Sequence, residues 1–171
     1  NPCAILSGYG GAGTFTVADG VITVENFESG LTEIKDGKNF VIMKDAAVPV
    51  TTVKISKEAL EVGGPEIPGA KLELTPASGN DAKFDLVKVT GETSKTDSKI
   101  EWTSSETPFV IEGLRDGSYT LHEVAAPTGY AVATDITFTV VNGKITVENF
   151  ESGLAEIKDG ENFVIMVDDA K

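Results

Sequence analysis

Tyr119-Thr-Leu-His-Glu-Val-Ala-Ala-Pro-Thr-Gly-Tyr130 is the stretch around which this chain is organised. Its Tyr, Thr, Leu and Val content reads as a strand. Alternation then sets Glu123 on the face shared by Tyr119 and Leu121, and sends His122 to the opposite face, where a solvated histidine is expected. An acid among apolar neighbours needs a partner, because ionised carboxylates are rarely buried alone. The partner is expected elsewhere in the chain. Ala125-Ala-Pro-Thr-Gly129 closes the strand with a turn.

Composition agrees with a chain of short strands. With 171 residues, 40% of them hydrophobic, there is material for one ordinary domain with some to spare. Gly 18 and Pro 7, with many Thr and Val, point to strands and tight turns, so the fold class expected is all-β. A formal net charge of −13 repels phosphate backbones and anionic lipid heads, which argues against nucleic acid and membrane surfaces as partners. The single cysteine, Cys3, forms no internal disulfide. No apolar run approaches the roughly 20 residues of a membrane-spanning helix. Asn1 to Leu6 lacks the basic and apolar regions of a signal peptide, so a leader or anchor is expected outside this stretch.

Working outward, the end of the chain repeats its beginning. Ala18 to Val48 returns at Val141 to Lys171, 123 residues on, without gaps and with roughly three-quarters of the positions identical. A period of that length suits tandem whole domains rather than a solenoid. Gly8-Tyr9 and Thr14 to Val17 extend the match weakly toward Gly129-Tyr130 and Thr137 to Val140. Residues 1–48 therefore read as the C-terminal remnant of a preceding repeat, a hairpin around Ala18-Asp-Gly20 plus a strand at Asn39 to Asp45. Residues 49–171 read as a complete unit, entered through a short linker, Ala46 to Thr52.

Within that unit, Val53 to Lys57 is a period-2 strand, and Glu61-Val-Gly-Gly-Pro-Glu66 is a turn. Ala70 to Thr75, Phe84 to Val89, Ile100 to Thr103, Phe109 to Glu112, Ile136 to Val140, Lys144 to Glu148 and the final run read as further strands. Gly91 to Lys99 is a polar excursion, and Gly113 to Gly117 a turn. About eight closely spaced strands are the pattern of a sandwich.

Three motifs together resemble the B-type repeat domains of collagen-binding adhesins and pilins of Gram-positive bacteria, known as the SpaA-like or prealbumin-like fold. They are Val53-Lys-Ile-Ser-Lys57 with Ile67 to Leu74, Gly117 to Tyr130, and Phe163-Val-Ile-Met-Val-Asp168. The middle one is specific; the others persuade by their order. The resemblance implies an immunoglobulin-like or prealbumin-like β-sandwich, preceded here by a partial copy of the same fold. It also implies a spontaneous amide between a lysine of the first strand and an acid of the last, promoted by the glutamate of the middle motif. Carried over by motif, these are Lys54, Asp168 and Glu123, with Lys57 left as a surface lysine. Many family members have asparagine where this chain has Asp168 followed by Asp169. Asp45 occupies the repeat position of Asp168 and is a candidate partner for reaction between chains.

The chemistry explains why such residues are needed. In water an ammonium and a carboxylate form at most an ion pair, but burial favours the neutral forms of both. A glutamate between them can move protons to the departing water. Proximity alone can remove roughly 7 to 11 kcal/mol of barrier. The function implied is a pull-resistant structural segment of a bacterial surface adhesin or pilin, not a turnover enzyme. Its partners would be neighbouring repeats of the same surface protein, and its anchor would lie in sequence outside this chain. An alternative is a module whose loops, Gly91 to Lys99 above all, bind a host matrix protein or glycan; a remoter one is a hydrolase using Glu123. No cofactor or metal is expected. His and Cys show no ligand spacing, and the Asp-Gly turns at 36–38 and 159–161 are too short for a calcium loop.

Overall fold

The computed structural model describes residues 3–8, 11–45, 47–91 and 93–171. Tyr9 of the weak repeat match, Ala46 at the start of the expected linker and Glu92 of the polar excursion lie outside the described residues. So does the side chain of Cys3. The regular elements described are all β-strands, and no helix among them is long and apolar enough to cross a membrane. Backbone contacts divide the chain into two units, Asn1–Val48 and Pro49–Lys171.

The first unit contains β1 (Cys3–Gly8), β2 (Gly11–Ala18), β3 (Val21–Ile22), β4 (Glu25–Phe27), β5 (Gly30–Lys35) and β6 (Lys38–Met43). They form two antiparallel sheets, β1-β2-β3 and β4-β5-β6. The Asp19-Gly20 and Asp36-Gly37 pairs both take positive φ, 53° and 77°, then 48° and 68°. That is the two-residue turn whose twist matches flanking antiparallel strands, and it is why Asp-Gly stands there.

The second unit adds β7 (Val50–Ala59), β8 (Lys71–Pro76), β9 (Lys88–Val89), β10 (Thr93–Lys95), β11 (Ile100–Thr103), β12 (Phe109–Arg115), β13 (Gly117–Ala125), β14 (Ile136–Val141), β15 (Lys144–Ile145), β16 (Glu148–Phe150), β17 (Gly153–Lys158) and β18 (Glu161–Asp168). One sheet runs β10-β11-β8-β13-β14-β15, the other β16-β17-β18-β7-β12-β9. Their inner faces enclose a single core that includes Ile55, Leu72, Leu74, Phe84, Ile111, Leu121, Phe138, Val164 and Met166. The result is an all-β sandwich of two six-stranded sheets. Tyr119 anchors it: the ring packs against Phe84 and Phe138 with centroids 5.8 and 6.0 Å away, and the hydroxyl donates to the Arg115 carbonyl at 2.7 Å.

Three segments depart from the expected pattern. Phe84 to Leu86 turns instead of pairing, and only Lys88–Val89 forms a strand. Phe84 and Val87 are buried anchors of a loop, whose carbonyls at 84 and 87 accept from Lys95 Nζ at 3.0 and 2.8 Å. An apolar run can mark an anchored loop as well as a strand. Within Gly91 to Lys99, Thr93–Lys95 pairs with β11. The expected turn at Gly113 is a bulge inside β12: Gly113 has φ 91°, and a Cβ there would lie 2.6 Å from the Leu86 carbonyl oxygen.

Candidate cross-link site

The first and last strands of the second unit, β7 and β18, lie side by side in parallel, with Lys57 opposite Met166 and Ala59 opposite Asp168. Along β7 the side chains of Val53, Ile55, Lys57 and Ala59 are all buried, as alternation requires of one inward face. Lys57 thus enters the core from a position where an aliphatic residue would be ordinary. Its Nζ donates a hydrogen bond to Asp168 Oδ1. Glu123 reaches the same point from β13 in the facing sheet, with Oε1 3.4 Å from Nζ. Its Oε2 accepts from the Ala133 N–H at 2.7 Å. Lys57, Glu123 and Asp168 are 1%, 1% and 0% exposed.

Two oxygens in this dry cluster, Glu123 Oε1 and Asp168 Oδ2, are buried without a hydrogen bond. Glu123 Oε1 is near enough to the amine for charge attraction but outside hydrogen-bonding geometry. One ammonium facing two ionised carboxylates would leave a net negative charge with no solvent, an arrangement relieved when one carboxyl keeps its proton. The Glu123 carboxyl is shifted in that direction. Burial, the largest influence, pushes its carboxyl up; the Ala133 N–H and the Lys57 charge pull it back, and the neighbouring Asp168 raises it further.

The structure corrects the lysine expected at this site. Lys54 is on the outward face of β7, where its Nζ pairs with Glu161 Oε2 at 2.8 Å and lies 5.7 Å from the Phe163 ring centroid. It does not meet Asp168 or Glu123. Glu123 and Asp168 stand where the motifs placed them, and Asp169 is exposed. His122 turns to the outside and hydrogen-bonds to Asp135 Oδ1 at 2.6 Å. Asp45, just beyond β6, is exposed.

Comparison with known proteins places this sandwich. The model of the SpaA prealbumin-like fold domain matches residues 51–151. The chain belongs to that family. Among solved structures, the C-terminal fragment of the pilus adhesin SpaC from Lactobacillus rhamnosus GG matches at a TM-score of 0.53. It is 18% identical, over 100% of this chain and 59% of the fragment. One form of SpaC itself gives a TM-score of 0.53 at 18% identity, over 91% of this chain and 20% of SpaC. The pilus-presented adhesin Spy0125 (Cpa) is 31% identical over 63% of this chain, at a TM-score of 0.44, and the match spans 21% of that protein. No match is found among curated proteins.

In this SpaA-like domain the lysine that meets Asp168 and Glu123 is Lys57, expected from sequence as a surface lysine, and the strand pattern carries a signal for it. Val53 and Ile55 fix the inward parity of the strand, and Lys57 shares it while Lys54 does not. A second group carries no signal in the strand pattern: Ser56 and Glu58, buried on the outward side of β7, and Glu66, with which both are joined. Among the described residues, no group of three His, Cys, Asp or Glu side chains is placed to hold a metal.

Proposed function

We propose that the second unit is a mechanically resistant structural module of a bacterial surface adhesin or pilin, closed by an intramolecular amide between Lys57 and Asp168 that Glu123 promotes. The observation that carries this reading is the meeting of an amine and two carboxyls, all shielded from water, between the first strand, the last strand and the facing sheet. Lys57 passes a proton to the carboxyl pair and its Nζ attacks Asp168 Cγ. The Nζ–Cγ bond forms and a Cγ–Oδ bond breaks; Glu123 takes the second proton from Nζ and gives one to the departing oxygen, so the amide keeps one hydrogen, the oxygen leaves with two as water, and Glu123 is regenerated. The product stays attached, so the event happens once per chain. Residues 1–48 are, in this reading, the end of a preceding repeat, and the partners of the module are neighbouring repeats and pilus subunits outside the cell.

Intact-mass measurement tests it. The folded chain is expected to weigh about 18 Da less than its sequence, the mass of one water. A parent chain at full mass would reject the cross-link.

A further inference from the structure

Beyond Ile55, β7 loses its neighbour β12, whose pairing with it starts at Phe109 opposite Ile55. The excursion at 60–67 takes over that edge. The Lys57 N–H donates to Glu66 Oε2 at 3.0 Å. The Lys57 carbonyl accepts from the Ile67 N–H at 2.8 Å, and the Ala59 N–H donates to the Pro65 carbonyl at 3.0 Å. Here a side chain takes the place that main chain takes in a regular ladder. The opposite edge of β7 remains on β18, where the Leu60 N–H donates to the Asp168 carbonyl at 2.9 Å. Lys57 is held from both sides.

Glu66 is itself clamped. Ser56 Oγ contacts Glu58 Oε1 at 3.0 Å and also Glu66 Oε1, while Glu58 Oε2 accepts from the Gly63 N–H at 2.6 Å. A serine hydroxyl carries one proton. Both contacts are therefore hydrogen bonds only when one carboxyl is protonated and donates to Oγ. Burial pushes the Glu66 carboxyl above the usual carboxylate range, while its bonds with Ser56 and the Lys57 N–H pull it back and the nearby Glu58 raises it further.

Resting on the cross-link reading above, we propose that Glu66, clamped by Ser56 and Glu58, is a positioning residue for the reaction: it extends the ladder of β7 by one side chain and fixes the Lys57 backbone so that Nζ meets Asp168. The role is distinct from that of Glu123, which touches the reacting groups.

The rate of water loss in the full chain, read by intact mass after cell-free synthesis and timed quenching, tests this. Glu66→Gln keeps an acceptor for the Lys57 N–H and places an amide within reach of Ser56 Oγ, and is expected to react at the parental rate. Glu66→Met fills a similar volume with neither group. It is expected to react about tenfold to a hundredfold more slowly, the scale set by small misplacements of reacting groups, and to exchange the Lys57 amide hydrogen faster. Ser56→Ala releases the clamp without touching Lys57 and is expected to slow the reaction too. Parental speed in Glu66→Met overturns the positioning role, as does Glu66→Gln reacting as slowly as Glu66→Met. Parental speed in Ser56→Ala overturns it even where Glu66→Met does not fold. A parent without the mass deficit removes the cross-link and this role together, whereas a parent with the deficit and indifferent variants removes only the role.

Discussion

Replacing Lys57 with alanine takes away the amine that touches Asp168, so Lys57→Ala is expected to restore the full sequence mass. Lys54→Ala should leave the deficit intact, since Lys54 is engaged with Glu161 at the surface; a deficit that follows Lys54 instead would move the site. Glu66 offers a second test through pH. A carboxyl raised in the folded state binds more protons there than in the unfolded chain, so stability falls as pH climbs from the ordinary carboxylate value through the raised one. Glu66→Gln is expected to flatten that fall across this window, measured by denaturant midpoints at a series of pH values; parallel slopes in parent and variant would contradict it. The inward placement of Glu123 and Asp168 is legible in the sequence because their motifs are long and each position is constrained by its neighbours. Lys57 is less legible, because two lysines three residues apart compete for one motif position and only the parity that Val53 and Ile55 impose separates them.

Strand β6 and strand β18 contain the same Asn-Phe-Val-Ile-Met sequence in different surroundings. Asn39 accepts from the Ile22 N–H at 3.0 Å and donates to the Gly20 carbonyl at 2.9 Å; Asn162 makes the matching bonds to Ile145 and Gly143, both at 2.9 Å. Asn162 also donates to the Thr52 carbonyl at 2.9 Å, at the entrance to β7. Val41 and Met43 are 36% and 43% exposed, whereas Val164 and Met166 are 0% exposed. Burial by β7 and the facing sheet, not local sequence, makes the difference. If the chain is cut before Asn162, the β7 edge is left open, and β6 of a second molecule could enter in the register of β18 and bring Asp45 toward Lys57. Slow covalent dimers are expected from that truncated chain and none from its Asp45→Ala form; a product that stays monomeric at high concentration would reject the pairing. Lys44 in place of Val167 should weaken the fit, because Val167 is half-buried. The strand pattern itself was readable wherever one face is apolar. It failed at Phe84, where apolar side chains anchor a loop, and at Thr93 to Lys95, where the pairing edge carries no hydrophobic period.

For the whole sandwich, the partners Lys57 and Asp168 are 111 residues apart in sequence and in contact in space. A covalent link across such a span removes unfolded-state freedom worth on the order of 4 to 5 kcal/mol, by the chain-entropy estimate for disulfides. Thermal unfolding of the parent is expected well above that of Glu123→Ala, with the gap unchanged by reductant; equal midpoints would show the link absent or idle. Closed by the proposed amide, the second unit would be a ring with short tails, and this would change what a protease can do to it. A cut after Lys95 or Lys99, at the polar tip between β10 and β11, opens the backbone without separating the pieces. Hydrolysis adds the water that cross-linking removed, so the nicked chain would return to the mass of its sequence while still migrating as one covalent species under denaturing conditions.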